Sequence, residues 1–205
     1  MKHDWRKEEK TTYIPKSIPT LITLPSYTYL TIKGKGAPAS ESFQRAVESL
    51  FTISYGLKFA PKKGILIDGY EEYSVYPLEG FWDISEEAKI KGSWDKNDFV
   101  YTLMIRQPSF IKIDHLRELR AKIKKEELIW EQVMLEHIED GLCLQMLHVG
   151  SFDDEPESFA KMDSYLSEHG YERRFKAHKE IYLSDFTKTK PEALKTTLRL
   201  FIKKR

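Results

Sequence analysis

Apolar positions along the chain follow two periods, and the periods alternate. "LITLPSYTYLTIKG" is rich in β-branched and aromatic residues and closes on Gly34 and Gly36, which predicts a strand. In "SESFQRAVESLFTISYG", Phe43, Ala46, Val47, Leu50 and Phe51 recur at helical spacing. Ser40 is placed to cap that helix and Gly56 to end it. "EEYSVYPLEGFW" and "DFVYTLMIRQP" predict two more strands, with Pro77 marking a break or an edge in the first and Pro108 ending the second. The first half therefore reads β-α-β-β.

The pattern returns after a charged stretch. Residues 111–140 carry a discontinuous apolar stripe (Leu116, Leu119, Ile123, Ile129, Val133) and predict one or two amphipathic linker helices. "GLCLQMLHVG" then predicts a strand and "DDEPESFAKMDSYLSEHG" a capped helix with Pro156 just inside its start. "HKEIYLSD" and "ALKTTLRLFIK" predict two strands. Gly34 and Gly150, Ser42-Phe43 and Ser158-Phe159, Leu50 and Leu166, and Tyr55 and Tyr171 are all separated by one interval, which points to an internal duplication. The expected fold is α+β: two pseudo-symmetric β-α-β-β repeats in a largely antiparallel sheet, helices on one face and a ligand pocket on the other. The expected organisation is a single domain over 1–205, with a loose N-terminal arm (1–19), a first repeat (20–110), a helical linker (111–140) and a second repeat (141–205).

Composition narrows the function classes. The chain has 205 residues, 40% apolar and 32% charged, enough for a sizeable core. Lys and Arg (33) balance Asp and Glu (32), which argues against direct nucleic-acid binding. Short basic runs such as "KIKKEE" read as solvated helix face. The one cysteine, Cys143, lies in an apolar run and reads as a small core residue of a protein in a reducing compartment. The first residues carry no apolar leader and no run is long enough for a membrane span, so a cytoplasmic protein is expected.

The candidate chemistry centres on Glu180. Alternation puts His178, Glu180, Tyr182 and Ser184 on one face of their strand, and Ile181 and Leu183 on the other, against the helix. An acid in a strand ordinarily faces solvent; in a sheltered hollow, burial would raise its pKa and make it a general base. Tyr182 would donate a hydrogen bond to a carbonyl oxygen gaining charge. Trp82, and one of Tyr101 and Met104, would supply flat or polarisable walls. His148 and His178 lack a Cys/His/carboxylate set at ligand spacing, so no metal is expected. The acids of "DDEP" read as helix-start residues favoured by capping and the macrodipole.

"LEGFWD" (78–83), "YTLMIRQP" (101–108), "LQMLHVGSFDDEPESF" (144–159) and "HKEIYLSDFTKTKPEALKTTLR" (178–199) together resemble the GyrI-like small-molecule-binding family. The resemblance spans roughly 20–203 and implies two β-α-β-β repeats around a central pocket for drug-like, often cationic ligands. It also implies that Glu180 is the pocket glutamate; His148 and His178 are further ligand-binding candidates. Stand-alone members of the family include hydrolases that open the cyclopropane ring of DNA-alkylating compounds, without a cofactor. Others are effector-binding domains fused to helix-turn-helix domains, or gyrase-modulating proteins. About 20 residues precede the first strand here, too few for a helix-turn-helix domain. Asp83 stands where the family usually has a second tryptophan. The resemblance thus implies a detoxifying cyclopropanoid hydrolase with Glu180 and Tyr182 as catalytic residues. The alternative it leaves is a non-catalytic protein that sequesters or senses aromatic, often cationic ligands. Either would act on a hydrophobic aromatic small molecule, as a monomer or homodimer and without a membrane.

Overall fold

The computed structural model describes every residue except 1, 124 and 126. The elements run α1 (Trp5–Glu8), α2 (Lys10–Tyr13), β1 (Thr20–Lys35), α3 (Glu41–Lys58), β2 (Leu78–Ile84), α4 (Glu86–Lys91), β3 (Phe99–Gln107), α5 (Ile113–Lys122), β4 (Met134–Val149), α6 (Glu155–Glu168), β5 (Tyr171–Tyr182) and β6 (Lys195–Lys204). Leaving aside α1, α2, α4 and α5, the order is β-α-β-β twice, and the protein is α+β with antiparallel pairing, as expected. The chain forms two compact units: Met1–Asp4, Tyr27–Leu78 and Ile84–Ile138 in one, and Trp5–Ser26, Glu79–Asp83 and Glu139–Arg205 in the other.

In the first unit β1 pairs antiparallel with β3, Gly34 lying opposite Tyr101. Ser40 caps α3 as expected, its Oγ accepting from Phe43 N. Gly56 does not end α3, which runs on to Lys58; a Cβ there would stand 2.8 Å from Leu119 Cδ2, so the missing side chain lets α5 approach closely. Residues 71–77 form no strand beyond a single bridge between Tyr73 and His3, and Pro77 immediately precedes β2. Among its described residues the predicted helical linker contains one α-helix, α5, and a 3-10 turn at Trp130–Gln132; "MLEHIED" is the first half of β4. Of the "KIKKEE" run, residues 124 and 126 lie outside the described residues.

In the second unit β6 lies between β4 and β5, antiparallel to both. Leu144 and Met146 of β4 and Leu198, Leu200 and Ile202 of β6 form a core with Met162 and Leu166 of α6. This face of the sheet is therefore the helix face. The opposite face carries a buried ionic cluster. Lys179 Nζ donates to both Asp140 oxygens at 2.8 Å and stands 3.3 Å from Glu79 Oε2, while Arg199 Nη1 donates to Asp140 Oδ2 at 3.0 Å. Burial pushes the Glu79 carboxyl up; for Asp140 the burial penalty is outweighed by Lys179 and Arg199, which hold it below the usual range.

The arm expected to be loose is ordered over α1 and α2, with Trp5 and Tyr13 buried and edge-on at 5.2 Å. The carbonyls of Thr11, Thr12 and Tyr13 accept from Gln145, Arg199 and Thr197 at 2.7 Å each. Charged composition suggested a solvated tail, but two aromatic anchors and three buried donors tie it to the sheet. The duplication holds in element order, yet the counterpart of Gly150 is Gly36. Both follow a long strand with positive φ, +138° and +101°, whereas Gly34 is inside β1 under the Tyr101 ring.

Candidate active site: an acid pair at the start of α6

Glu180 reaches the site through an irregularity in β5. Arg173 lies opposite Ile202, and His178 opposite Leu200, so β5 holds extra residues between two nearly adjacent positions of β6. The bulged residues Arg174, Phe175 and Lys176 are exposed. Five residues on one strand against two on the other change the parity of alternation. His178 and Glu180 are thereby turned to the side of Leu200 and Leu198, and Lys179 and Ile181 to the other. The expectation that Glu180 points away from the helix is corrected: it lies on the helix face, with the His178 ring 4.7 Å from that of Phe159 on α6.

There Glu180 is held by three groups. Tyr182 OH donates to Oε2 at 2.7 Å, and His178 Nε2 lies 2.9 Å from Oε1, a geometry that calls for the Nε2–H tautomer. The third is Glu155, the first residue of α6, whose carboxyl is pushed up to about 10 by burial and by the Glu180 charge. A helix start favours an anion, but only by about 0.3–1 kcal/mol at ordinary exposure. Desolvation beside a second carboxylate is the larger effect. Glu155 thus holds a proton at neutral pH, and the acid whose pKa burial raises is on the helix.

The Tyr182 hydroxyl accepts from Trp82 Nε1 at 2.8 Å. Proton direction along this chain is fixed: Trp82 N–H to Tyr182, Tyr182 O–H to Glu180. Burial first, and then Glu180, raise the Tyr182 pKa well above the ordinary phenol value, so it stays a donor. Tyr182 therefore donates its hydrogen bond to Glu180. Gly80 makes room for the chain: a Cβ there would lie 2.5 Å from Trp82 Nε1 and 3.1 Å from Tyr182 OH. Phe152 and Phe186 stand edge-on to Tyr182 at 5.9 and 6.0 Å. The Glu180 side chain keeps 13% of its exposure and His178 23%, so the pair is sheltered yet reachable.

Of the residues expected at the site, Glu180, Tyr182, Trp82 and His178 come together. His148 serves the fold: its Nε2 donates to Ser151 O and its Nδ1 accepts from Ser158 Oγ, both at 2.9 Å, bracing the start of α6. Tyr101 and Met104 belong to the first unit. Tyr101 packs over Gly34 and edge-on to Phe43 at 5.2 Å, while Met104 is buried on the opposite face of β3. Glu155 was missed. Its signal was helical spacing: Glu155, Ser158, Met162 and Leu166 share the buried stripe of α6, so the stripe begins on a carboxylate. No group of three or more His, Cys, Asp or Glu placed to hold a metal ion occurs among the described residues.

Trp82, Phe152 and Phe186 around Tyr182, and Phe159 beside His178, flank this acid pair on a duplicated β-α-β-β fold. The chain belongs to the GyrI-like small-molecule-binding family, whose domain matches residues 18–203. It is similar to three crystal structures from Listeria innocua. Two are of hydrolases, 35% and 36% identical, with TM-scores of 0.89, matching 98% and 99% of this chain and 100% of each relative. The third is an uncharacterized conserved protein, 37% identical over 98% of this chain and 100% of its own, at a TM-score of 0.90. No curated protein matches the chain. Among the described residues no helix is long and apolar enough to cross a membrane.

Proposed function

We propose that this protein is a cytoplasmic hydrolase that detoxifies DNA-alkylating compounds of the cyclopropylpyrroloindole type by opening their strained ring. The observation that carries the reading is the acid pair, in which Glu180 accepts hydrogen bonds and Glu155 holds a proton. In the reaction Glu180 takes a proton from water as the oxygen bonds to the ring methylene. The strained carbon–carbon bond breaks and its electrons pass into the dienone, which becomes an aromatic phenolate. The phenolate is then protonated, so the net change is addition of one water. Tyr182 and His178 orient Glu180, and Glu155 takes over the donor role that sequence suggested for Tyr182. Aromatisation and ring strain drive the step, and no cofactor enters it. The two hydrolases at 35% and 36% identity support hydrolytic chemistry.

The test is incubation of the purified protein with such a compound, read by mass spectrometry. The expected product is heavier by one water, and Glu180→Gln is expected to bind the compound and turn it over about 10²–10⁴-fold more slowly. Tight binding without product from the native protein overturns the hydrolase and leaves a protein that sequesters or senses aromatic, often cationic ligands. The carboxylate among rings would serve that role through charge and ring quadrupoles. Absence of both binding and product overturns both readings.

A further inference from the structure

The first unit carries an open groove, independent of the acid pair. Phe51, Thr52, Tyr55, Gly56 and Phe59 of and just after α3, with Lys63, Ile123 and Lys125, line a space of about 450 Å³. Small-molecule sites run from about 300 to 1,000 Å³. Gly56 lets the floor close tightly, since a Cβ there would also come within 3.2 Å of Ile123 Cδ1. Two aromatic side chains that a core would normally take are left in solvent: Tyr55 is 47% and Phe59 40% exposed. Their rings are nearly parallel, 20° apart with centroids at 6.5 Å, and form a flat apolar wall.

The rim is cationic. Lys63 and Lys125 belong to the lining, and no acid does among the described residues. Lys58 Nζ stands 5.9 Å from the Tyr55 ring and 5.2 Å from that of Phe59, and Lys62 Nζ lies 5.3 Å from Phe59. Lys122 Nζ donates to the Lys63 carbonyl at 3.0 Å, fixing a further cation beside the wall. The crowding registers on Lys58, whose pKa is lowered by burial and by Lys2 and Lys62, against the opposing pull of Glu72.

We infer that this groove is a ligand site for a small aromatic molecule bearing an anionic group such as a carboxylate or sulfonate. A flat ring covers Tyr55 and Phe59 and removes apolar surface from water. Its anion meets several ammonium groups, those of Lys63 and Lys125 in the lining and Lys58 and Lys62 at the rim. A lipophilic cation gains the ring contact and loses to the lysines, so the groove selects the charge opposite to that favoured at Glu180.

The test uses 8-anilinonaphthalene-1-sulfonate with the intact, folded chain, titrated by calorimetry against its uncharged counterpart N-phenyl-1-naphthylamine. Expected are one site for the sulfonate, weaker in high salt, and binding of the neutral ring lower by at least about tenfold. The double variant Lys63→Glu, Lys125→Glu and the single variant Phe59→Ser are each expected to weaken the sulfonate by about tenfold or more. All three positions are at the surface, so the thermal melts should stay those of the native protein. Glu180→Gln should leave sulfonate affinity unchanged. Equal binding of the neutral ring, indifference to the groove substitutions, or loss of binding in Glu180→Gln would overturn the assignment. Displacement of the probe by a short DNA duplex would overturn it too, in favour of a polyanion surface.

Discussion

Glu155, at the first position of α6, keeps a proton under the charge of Glu180, which stands two residues before the end of β5. That proton makes folding stability depend on pH. In the unfolded chain Glu155 ionises near its ordinary 4.5, whereas in the folded protein it does so only at about 10. Between those values the unfolded state binds one proton fewer than the folded state, so stability falls as pH rises. Glu155→Gln keeps a donor toward Glu180 and removes the titration. The variant is expected to be more stable than the native chain by about 1–3 kcal/mol at pH 8, with a smaller gap at pH 6. Denaturant unfolding at the two pH values measures this, and a gap that does not change with pH would contradict the retained proton.

The repeat architecture was legible because each element is bounded by residues with one physical use: Ser40 as a cap, Pro108 as a stop, the alternation of β6. Glu180 and Tyr182 were legible as a pair because their spacing keeps them on one face. Which face was hidden. The bulge between Arg173 and His178 changes the parity of β5, and "ERRFKAH" has no glycine or proline to announce it. Glu155 was hidden by its company, since three acids at a helix start are normally explained by the macrodipole. Only the buried stripe through Met162 and Leu166 separates it from its exposed neighbours Asp153 and Asp154. The N-terminal arm misled because charge dominates its composition, while its placement rests on Trp5, Tyr13 and carbonyl groups that every sequence has.

The chain from Trp82 to Tyr182 to Glu180 predicts non-additive substitutions. Tyr182→Phe removes the donor to Glu180 and also strands the buried Trp82 N–H, at a cost of about 1–3 kcal/mol. With Trp82 already replaced by Phe, the same change should cost less, because no indole donor is left without an acceptor. Unfolding of the two single variants and the double variant closes the cycle. Simple additivity would mean that the indole and the phenol do not act as one unit.

Gly80 is expected to tolerate no side chain. In Gly80→Ala the added methyl meets the Trp82 indole nitrogen and then the Tyr182 oxygen, so the indole must move and its hydrogen bond lengthens. The expected destabilisation is about 1–3 kcal/mol, the usual cost of overpacking. The change should appear in tryptophan fluorescence relative to a Trp82→Phe background, where the effect of Gly80→Ala should largely vanish. A stable Gly80→Ala protein with native fluorescence would show that the indole is not confined there.

On the far face of the same sheet, Asp140 takes three direct hydrogen bonds from Lys179 and Arg199, whereas Glu79 stands at the longer distance of 3.3 Å from Lys179. Asp140→Asn should therefore cost about 3–5 kcal/mol, because two buried cations lose their close anion. Glu79→Gln should cost clearly less. Asp140 also predicts an acid limit. Its folded pKa lies below the ordinary 3.8, so its contribution is present above that value and is lost as pH falls through the lowered one. Acid titration of Asp140→Asn against the native chain, followed by circular dichroism, should show the two stabilities converging at low pH; parallel curves would contradict the ion-pair assignment.

The ordered N-terminus yields the last prediction. Deleting residues 2–16 removes two aromatic side chains buried to within 2% of full cover, Trp5 and Tyr13. It also leaves the donors of Gln145, Arg199 and Thr197 without the carbonyls of Thr11, Thr12 and Tyr13. Losing one large buried aromatic alone costs about 3–5 kcal/mol, and each stranded buried donor about 1–3 kcal/mol more. The total reaches the ~5–15 kcal/mol that holds an ordinary domain together. The truncated chain should therefore fail to fold or should melt far below the intact protein. Trp5→Ala, a milder probe, should lower stability by about 3–5 kcal/mol without changing the fold. A loose arm would give the opposite result, a truncated protein with the native melting temperature, and that outcome would detach the arm from the sheet it is bonded to here.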